Sequence, residues 1–149
     1  MGTQKVKMQD LSKLSFDNMK LCEEEVLKLM NIPKENIINA NIHVKDFDGA
    51  PVYINTNICG DLNKPFLVLV HGYGSAGPLY FKIIKKLTEH FCVILMDMVG
   101  MGASSRPKDY NKKTITPQQS IDYFVEYMEL WRVAMGKYLA EKTVIADFT

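Results

Sequence analysis

PFLVLVHGYGSAG, residues 65–77, decides the reading of the fold. Phe66, Leu67, Val68, Leu69 and Val70 form an unbroken apolar run, the pattern of a parallel strand buried on both faces, which predicts a central strand. HGYGSAG then turns the chain into a helix from Pro78 to His90. Proline suits a first helical turn, and Tyr80, Ile83, Ile84 and Leu87 make one apolar face. A second apolar run, Phe91 to Met96, ends in Asp97. Strand, helix and strand make a βαβ unit.

Outward from that unit the periodicity changes with each segment. Downstream lies the loop MVGMGASSRPKDYNKKTIT, residues 98–116, rich in glycine, serine and charge. A long helix follows from Pro117 to Met135, with Ile121, Phe124, Tyr127, Met128, Trp131 and Met135 at helical spacing. Trp131 continues that stripe and reads as core. Thr143 to Ala146 reads as the start of a third parallel strand. Upstream, Ala40, Ile42 and Val44 alternate with Asn39, Asn41 and His43, and after Asp48-Gly49 the run Val52 to Ile58 alternates again. This predicts an antiparallel hairpin with His43 facing solvent. From Phe16 to Met30, Met19, Cys22, Val26, Leu29 and Met30 follow helical spacing, with Glu23, Glu24, Glu25 and Lys28 on the other face. Residues 1–35 are thus a helical lead-in and residues 36–149 the sheet domain.

Composition bounds the function. The 149 residues, 47% hydrophobic and 23% charged, suit one globular domain. A net charge of +1 without a basic stripe disfavours nucleic acid and anionic lipid surfaces as partners of the bulk charge. Cys22, Cys59 and Cys92 have no metal-ligand spacing, and an odd count argues against a disulfide framework. Together with the lack of a signal core this predicts reduced thiols in an intracellular compartment, cytoplasmic or mitochondrial. No apolar run approaches the roughly 20 residues of a membrane span.

The glycine turn has three readings. Gly72, Gly74 and Gly77 spell G-x-G-x-x-G between a strand and a helix, and Asp97 ends the next strand, the spacing of a dinucleotide-binding fingerprint. Pro78 removes a donor where a pyrophosphate would sit, and a preceding hairpin is not how such a unit begins. The glycines could equally serve a tight strand-to-helix connection alone. In the third reading His71, Gly72, Tyr73 and Gly74 form an oxyanion-hole turn, with the Tyr73 N–H as donor. Asp97, Gly100, Gly102 and Ser104 then fit the D-x-x-G-x-G-x-S loop after the following strand.

Taken together, PFLVLVHGYGSAG, VILMDMVGMGASSRP and SIDYFVEYMELWRVAMG resemble the abhydrolase-domain group of the α/β-hydrolase superfamily, which includes lysophospholipid and N-acyl-phospholipid lipases and a lipase coactivator. The resemblance runs from about residue 36 to the C-terminus, and Trp131-Arg132 before Ala134-Met135-Gly136 is similar to that subgroup in particular. It implies a partial α/β-hydrolase fold: an antiparallel hairpin, then parallel strands with crossover helices, the sheet incomplete after the start of the third parallel strand.

The resemblance also implies a chemistry that needs a G-x-S-x-G nucleophile elbow, a histidine, an acid and two N–H donors. Laid on this chain, the elbow falls on Ala146, Asp147 and Phe148, and Phe148 is no nucleophile. Ser75 and Ser104 complete no elbow and read as loop hydroxyls. His71 belongs to the turn and His90 to a helix end, while Asp97 reads as a loop-anchoring carboxylate. The chain as given is therefore expected to lack a complete hydrolase site and to need no cofactor. The leading expectation is a non-catalytic hydrolase-like structural or binding subunit, its open sheet edge covered by another protein chain. The alternatives are the N-terminal part of an active lipid or ester hydrolase, with a lipid or acyl ligand, and a dinucleotide-binding module.

Overall fold

The computed structural model describes the backbone of residues 16–108 and 116–146, and the side chains of residues 19–108 and 116–141. Its elements run α1 (Phe16–Lys28), β1 (Ile37–Phe47), β2 (Ala50–Cys59), β3 (Phe66–Val70), α2 (Phe81–Leu87), β4 (Cys92–Met96) and α3 (Pro117–Ala146), with a 3₁₀ turn at Gly77–Tyr80 leading into α2. The strands form one mixed sheet in the order β1-β2-β4-β3. β1 and β2 pair antiparallel, β2 and β4 antiparallel, and β3 and β4 parallel. The expected hairpin and crossover βαβ unit are both present.

The hairpin turn carries φ of 49° at Asp48 and 73° at Gly49. Two successive left-handed residues make the turn whose twist matches the flanking strands, which is why Asp-Gly occupies it. β1 reaches Phe47, past the end suggested by its alternation, because the register shifts between His43 and Lys45. A bulge there absorbs one residue and lets pairing resume. His43 is exposed as expected, its Nε2 2.9 Å from Asp46 Oδ1.

Helices pack on both faces of the sheet. Ile42, Ile54, Ile58, Ile94 and Met96 meet Tyr127, Trp131 and Met135 of α3 on one side. Cys59, Val93 and Leu95 meet Leu27 of α1, Met30 and Ile84 of α2 on the other. Trp131 is core, and its indole N–H donates to Thr56 Oγ1 at 2.9 Å. Arg132 lies at the surface and pairs with Glu129 through both carboxylate oxygens, at 2.8 and 2.6 Å.

Four expectations are corrected. Among the described residues β3 lies at the edge of the sheet, not at its centre. Phe66, Val68 and Val70 are 39–49% exposed, because α3 packs over the hairpin and among the described residues nothing pairs with the outer edge of β3. Residues 143–146 continue α3 instead of opening a third parallel strand. A helix already propagating through Lys137 to Lys142 gains one hydrogen bond per added residue, whereas a four-residue strand needs a ladder partner. Ile121 and Leu29, assigned to apolar faces, are 56% and 57% exposed. Finally, Glu23 turns towards the sheet rather than solvent, with Leu27 and Met30 below it on the same stripe, since three asparagines of β1 and β2 present donors to it.

Candidate functional site

Two loops at one end of the sheet wall a cleft. The first is the turn after β3, His71 to Ala76. The second is the loop after β4, which opens at Asp97. His71 is buried, and its ring is tied to the backbone of both loops. Nδ1 lies 2.7 Å from Gly72 O, and Nε2 accepts the Met98 N–H at 3.0 Å. This pattern uses a ring with its proton on Nδ1. Nε2 also lies 3.9 Å from Asp97 Oδ1, too long for a hydrogen bond, and its lone pair already takes the Met98 donor. With both nitrogens engaged, His71 holds the loops together.

Asp97 is the hub of the site. Oδ1 accepts the Gly77 N–H at 2.7 Å, and Oδ2 accepts the Ala103 N–H at 2.9 Å and Asn55 Nδ2 at 3.0 Å. One carboxylate thereby fixes the start of the 3₁₀ turn, the glycine loop and strand β2. Gly102 explains the G-x-G spacing on this side. Its φ is 50°, and a Cβ there would fall 2.2 Å from Asp97 Oδ2, so only glycine lets the loop close on the carboxylate. Ser104 is equally committed: its hydroxyl accepts the Asn55 N–H at 2.9 Å and donates to Asp97 O at 2.8 Å. The Gly100 N–H closes the loop on Ser105 O at 2.9 Å.

Tyr73 is 96% exposed, and among the described residues its N–H, like those of Gly74, Ser75 and Ala76 after it, meets no hydrogen-bond acceptor, unlike the donors of Gly77, Met98 and Ala103. It borders a cleft of about 830 Å³ that is walled by Leu79, Val99, Met101, Phe124 and, from α1, Met19. Arg106 adds a cation to the wall. It is pinned by hydrogen bonds to Gly102 O at 2.8 Å and Ser104 O at 3.1 Å. A volume in that range with apolar walls and few polar groups is typical of small-molecule sites.

The predicted residues His71, Gly72, Tyr73, Gly74, Asp97, Gly100, Gly102 and Ser104 thus converge on one end of the sheet, while Phe148 lies outside the described residues. Sequence reasoning missed the polar layer under α1. Glu23 Oε1 accepts Asn55 Nδ2 and Asn57 Nδ2, both at 2.6 Å, and Oε2 accepts Asn39 Nδ2 at 3.3 Å. Burial raises the Glu23 carboxyl above the ordinary range, the three amides oppose that shift, and nearby Asp97 adds to it. The signal was present in Asn39, Asn55 and Asn57, which share one face of the hairpin.

This arrangement, an anchored glycine turn after one parallel strand and a D-x-x-G-x-G-x-S loop after the next, defines a class of α/β domain. The chain belongs to the α/β hydrolase fold family, whose sequence profile matches residues 65–141, just over half of the chain. It is 37% identical over 86 residues to the 1-acylglycerol-3-phosphate O-acyltransferase of Arabidopsis thaliana, covering 56% of this chain and 20% of that protein. It is 34% identical over 70 residues to the (lyso)-N-acylphosphatidylethanolamine lipase of Bos taurus, covering 47% and 19%. Among solved structures it resembles the haloalkane dehalogenase DatA from Agrobacterium tumefaciens, with a TM-score of 0.52 at 20% identity over 68% of this chain and 30% of that one. This last likeness speaks to the fold alone. The chain spans about one fifth of the length of the curated relatives it matches. The dinucleotide reading gives way to this family, and both Asp97 oxygens that would face a ribose are occupied by protein donors. Among the described residues no helix is long and apolar enough to cross a membrane.

Proposed function

We propose that the cleft binds an acyl lipid and that the chain carries the oxyanion-donor part of a lipid-directed acyl hydrolase or transferase site. The observation that carries this is the unclaimed Tyr73 N–H at the border of an apolar-walled cleft. Backbone donors aimed where an acyl oxygen becomes negative are a main source of catalysis in acyl transfer. Arg106 supplies positive charge for an anionic headgroup, in keeping with the phosphate-bearing lipids in the names of the relatives. The nucleophile, the base and the second donor of a working site would come from outside the described residues.

The test is binding of monomeric lauroyl lysophosphatidate to the purified chain, read by displacement of a fluorescent fatty acid. Saturable binding that Leu79→Arg weakens at least tenfold is expected. Absence of saturable binding, or indifference to Leu79→Arg, would sink the reading.

A second reading, the non-catalytic subunit completed by another chain, is supported by the exposure of Phe66, Val68 and Val70 along the edge strand. Unpaired apolar edges are sites of strand addition. It predicts that Val68→Lys disperses the chain or releases a co-purifying partner. A wild-type chain that unfolds cooperatively as a dispersed monomer counts against it.

A further inference from the structure

The lead-in helix α1 precedes the segment that matches the family profile, yet its side chains reach the candidate site in two places. Met19 walls the cleft, and its Sδ lies 3.6 Å from Arg106 Nη2. Four residues on, one turn along the helix, Glu23 faces the sheet. Its Oε1 takes two short amide donors, and one of these, Asn55 Nδ2, is shared with Asp97 Oδ2. Asp97 in turn holds the Gly77 N–H, where the first of the loops that wall the cleft ends, and the Ala103 N–H within the second.

The orientation of Asn55 is therefore over-determined. Its Nδ2 must point at both carboxylates, its Oδ1 meets Asn39 Nδ2 at 3.3 Å, and its backbone N–H is held by Ser104. The carboxamide cannot turn over without presenting its oxygen to two anions. Asn57 and Asn39 brace the arrangement, with Asn39 Nδ2 donating to Asn57 Oδ1 at 2.8 Å. Such fully satisfied polar networks fix geometry rather than merely adding stability. The groups facing Glu23 are thus three amides from the hairpin and the Asp97 carboxylate, with no cation hydrogen-bonded to it among the described residues.

We propose that Glu23 is a positioning residue of the candidate site: through Asn55 and Asp97 it sets the two loops that wall the cleft, making α1 a working part of the site. The positional claim stands on the protein's own hydrogen bonds. Only its binding readout rests on the acyl-lipid reading above.

The experiment compares the full chain with Glu23→Ala, Glu23→Gln and, as a control on the exposed neighbour, Glu24→Ala. Glu23→Gln can keep its oxygen towards Asn55 and Asn57 and sacrifices only the long contact to Asn39, so it is the conservative rescue. Hydrogen exchange is read at the Gly77 and Ala103 amides against amides of β4 and α3, which report global opening. Glu23→Ala is expected to speed exchange at Gly77 and Ala103 at least tenfold while β4 and α3 stay within twofold. It should also weaken lauroyl lysophosphatidate binding about fivefold or more. Glu23→Gln should stay within twofold of wild type in both, as should Glu24→Ala.

Unchanged exchange at Gly77 and Ala103 in Glu23→Ala overturns the proposal. So does an increase shared equally with β4 and α3, which is what plain destabilisation gives, or a Glu23→Gln chain as loose as Glu23→Ala. If wild type binds no lysophosphatidate, the acyl-lipid reading fails while the exchange comparison still decides the role of Glu23. Should Glu23→Ala not fold, the decision passes to Asn57→Ala. That variant removes one of the two braces on Glu23 Oε1 and should loosen the same two amides at least threefold; no change there overturns the proposal.

Discussion

Asp97→Asn changes almost no volume and is the sharpest perturbation of the hub. The carboxylate accepts three hydrogen bonds, from Gly77 N–H at 2.7 Å, Ala103 N–H at 2.9 Å and Asn55 Nδ2 at 3.0 Å. The new amide can keep its oxygen on Gly77, but its NH₂ group then faces two donors. Turning Asn55 over would restore one contact only by setting the Asn55 oxygen against Glu23 Oε1, now held at 2.6 Å. Two bonds to a charged acceptor are therefore lost. At about 1.5–3 kcal/mol each, the loss is about 3–6 kcal/mol before offsets. A neutral amide is less costly to bury than a carboxylate, so the lower end, about 3 kcal/mol, is the expected destabilisation. Against a typical domain stability of about 5–15 kcal/mol that is a large fraction. Urea unfolding followed by far-UV circular dichroism and by Trp131 fluorescence measures it. Ser104→Ala, which removes one bridging hydroxyl, should cost less, about 1–3 kcal/mol. An Asp97→Asn chain within about 1 kcal/mol of wild type would refute the assignment of Asp97 as the loop anchor.

Thr56→Val is nearly isosteric but leaves the Trp131 indole N–H buried without its acceptor. It should cost about 1–3 kcal/mol and shift the Trp131 emission, and an unchanged melt would contradict the core role of that pair. Burial pushes the Cys59 thiol up to about 12 and the Cys92 thiol up to about 11, whereas Cys22 is exposed. Iodoacetamide at neutral pH should modify one thiol per folded chain and three after denaturation, counted by mass; rapid modification of Cys92 in the native state would contradict the packing. Because the folded Glu23 carboxyl titrates above its ordinary range, the stability it contributes is fully present below the unfolded value and is lost as pH rises through the folded one. Urea midpoints of wild type should therefore fall relative to Glu23→Gln as pH increases through and above the ordinary carboxylate range, and parallel pH profiles would show that the shift is absent.

The sequence carries the βαβ unit and the hairpin because their signals are local: an apolar run, an Asp-Gly turn, a proline at a helix start. It misplaces β3 and Glu23 because both depend on what lies beside them. Phe66 to Val70 has the composition of a strand covered on both faces, but composition does not say whether a neighbour is present to cover it. Glu23 sits in a run of three glutamates, and helical periodicity treats all three as solvated. Only the register of the hairpin, with Asn39 opposite Asn57 and Asn41 opposite Asn55, shows that one face of the sheet offers amides to a carboxylate. The glycine loop after β4 was legible for a different reason. A φ of 50° at Gly102 and the close approach to Asp97 restrict the residue type, so the constraint is written into the sequence itself. A strained loop leaves a readable motif, whereas a satisfied polar network between distant elements leaves only residue types that look like surface. The α1 contact with the site belongs to the second kind, and so its test must be made on the folded chain, where Glu23, Asn55 and Asp97 meet.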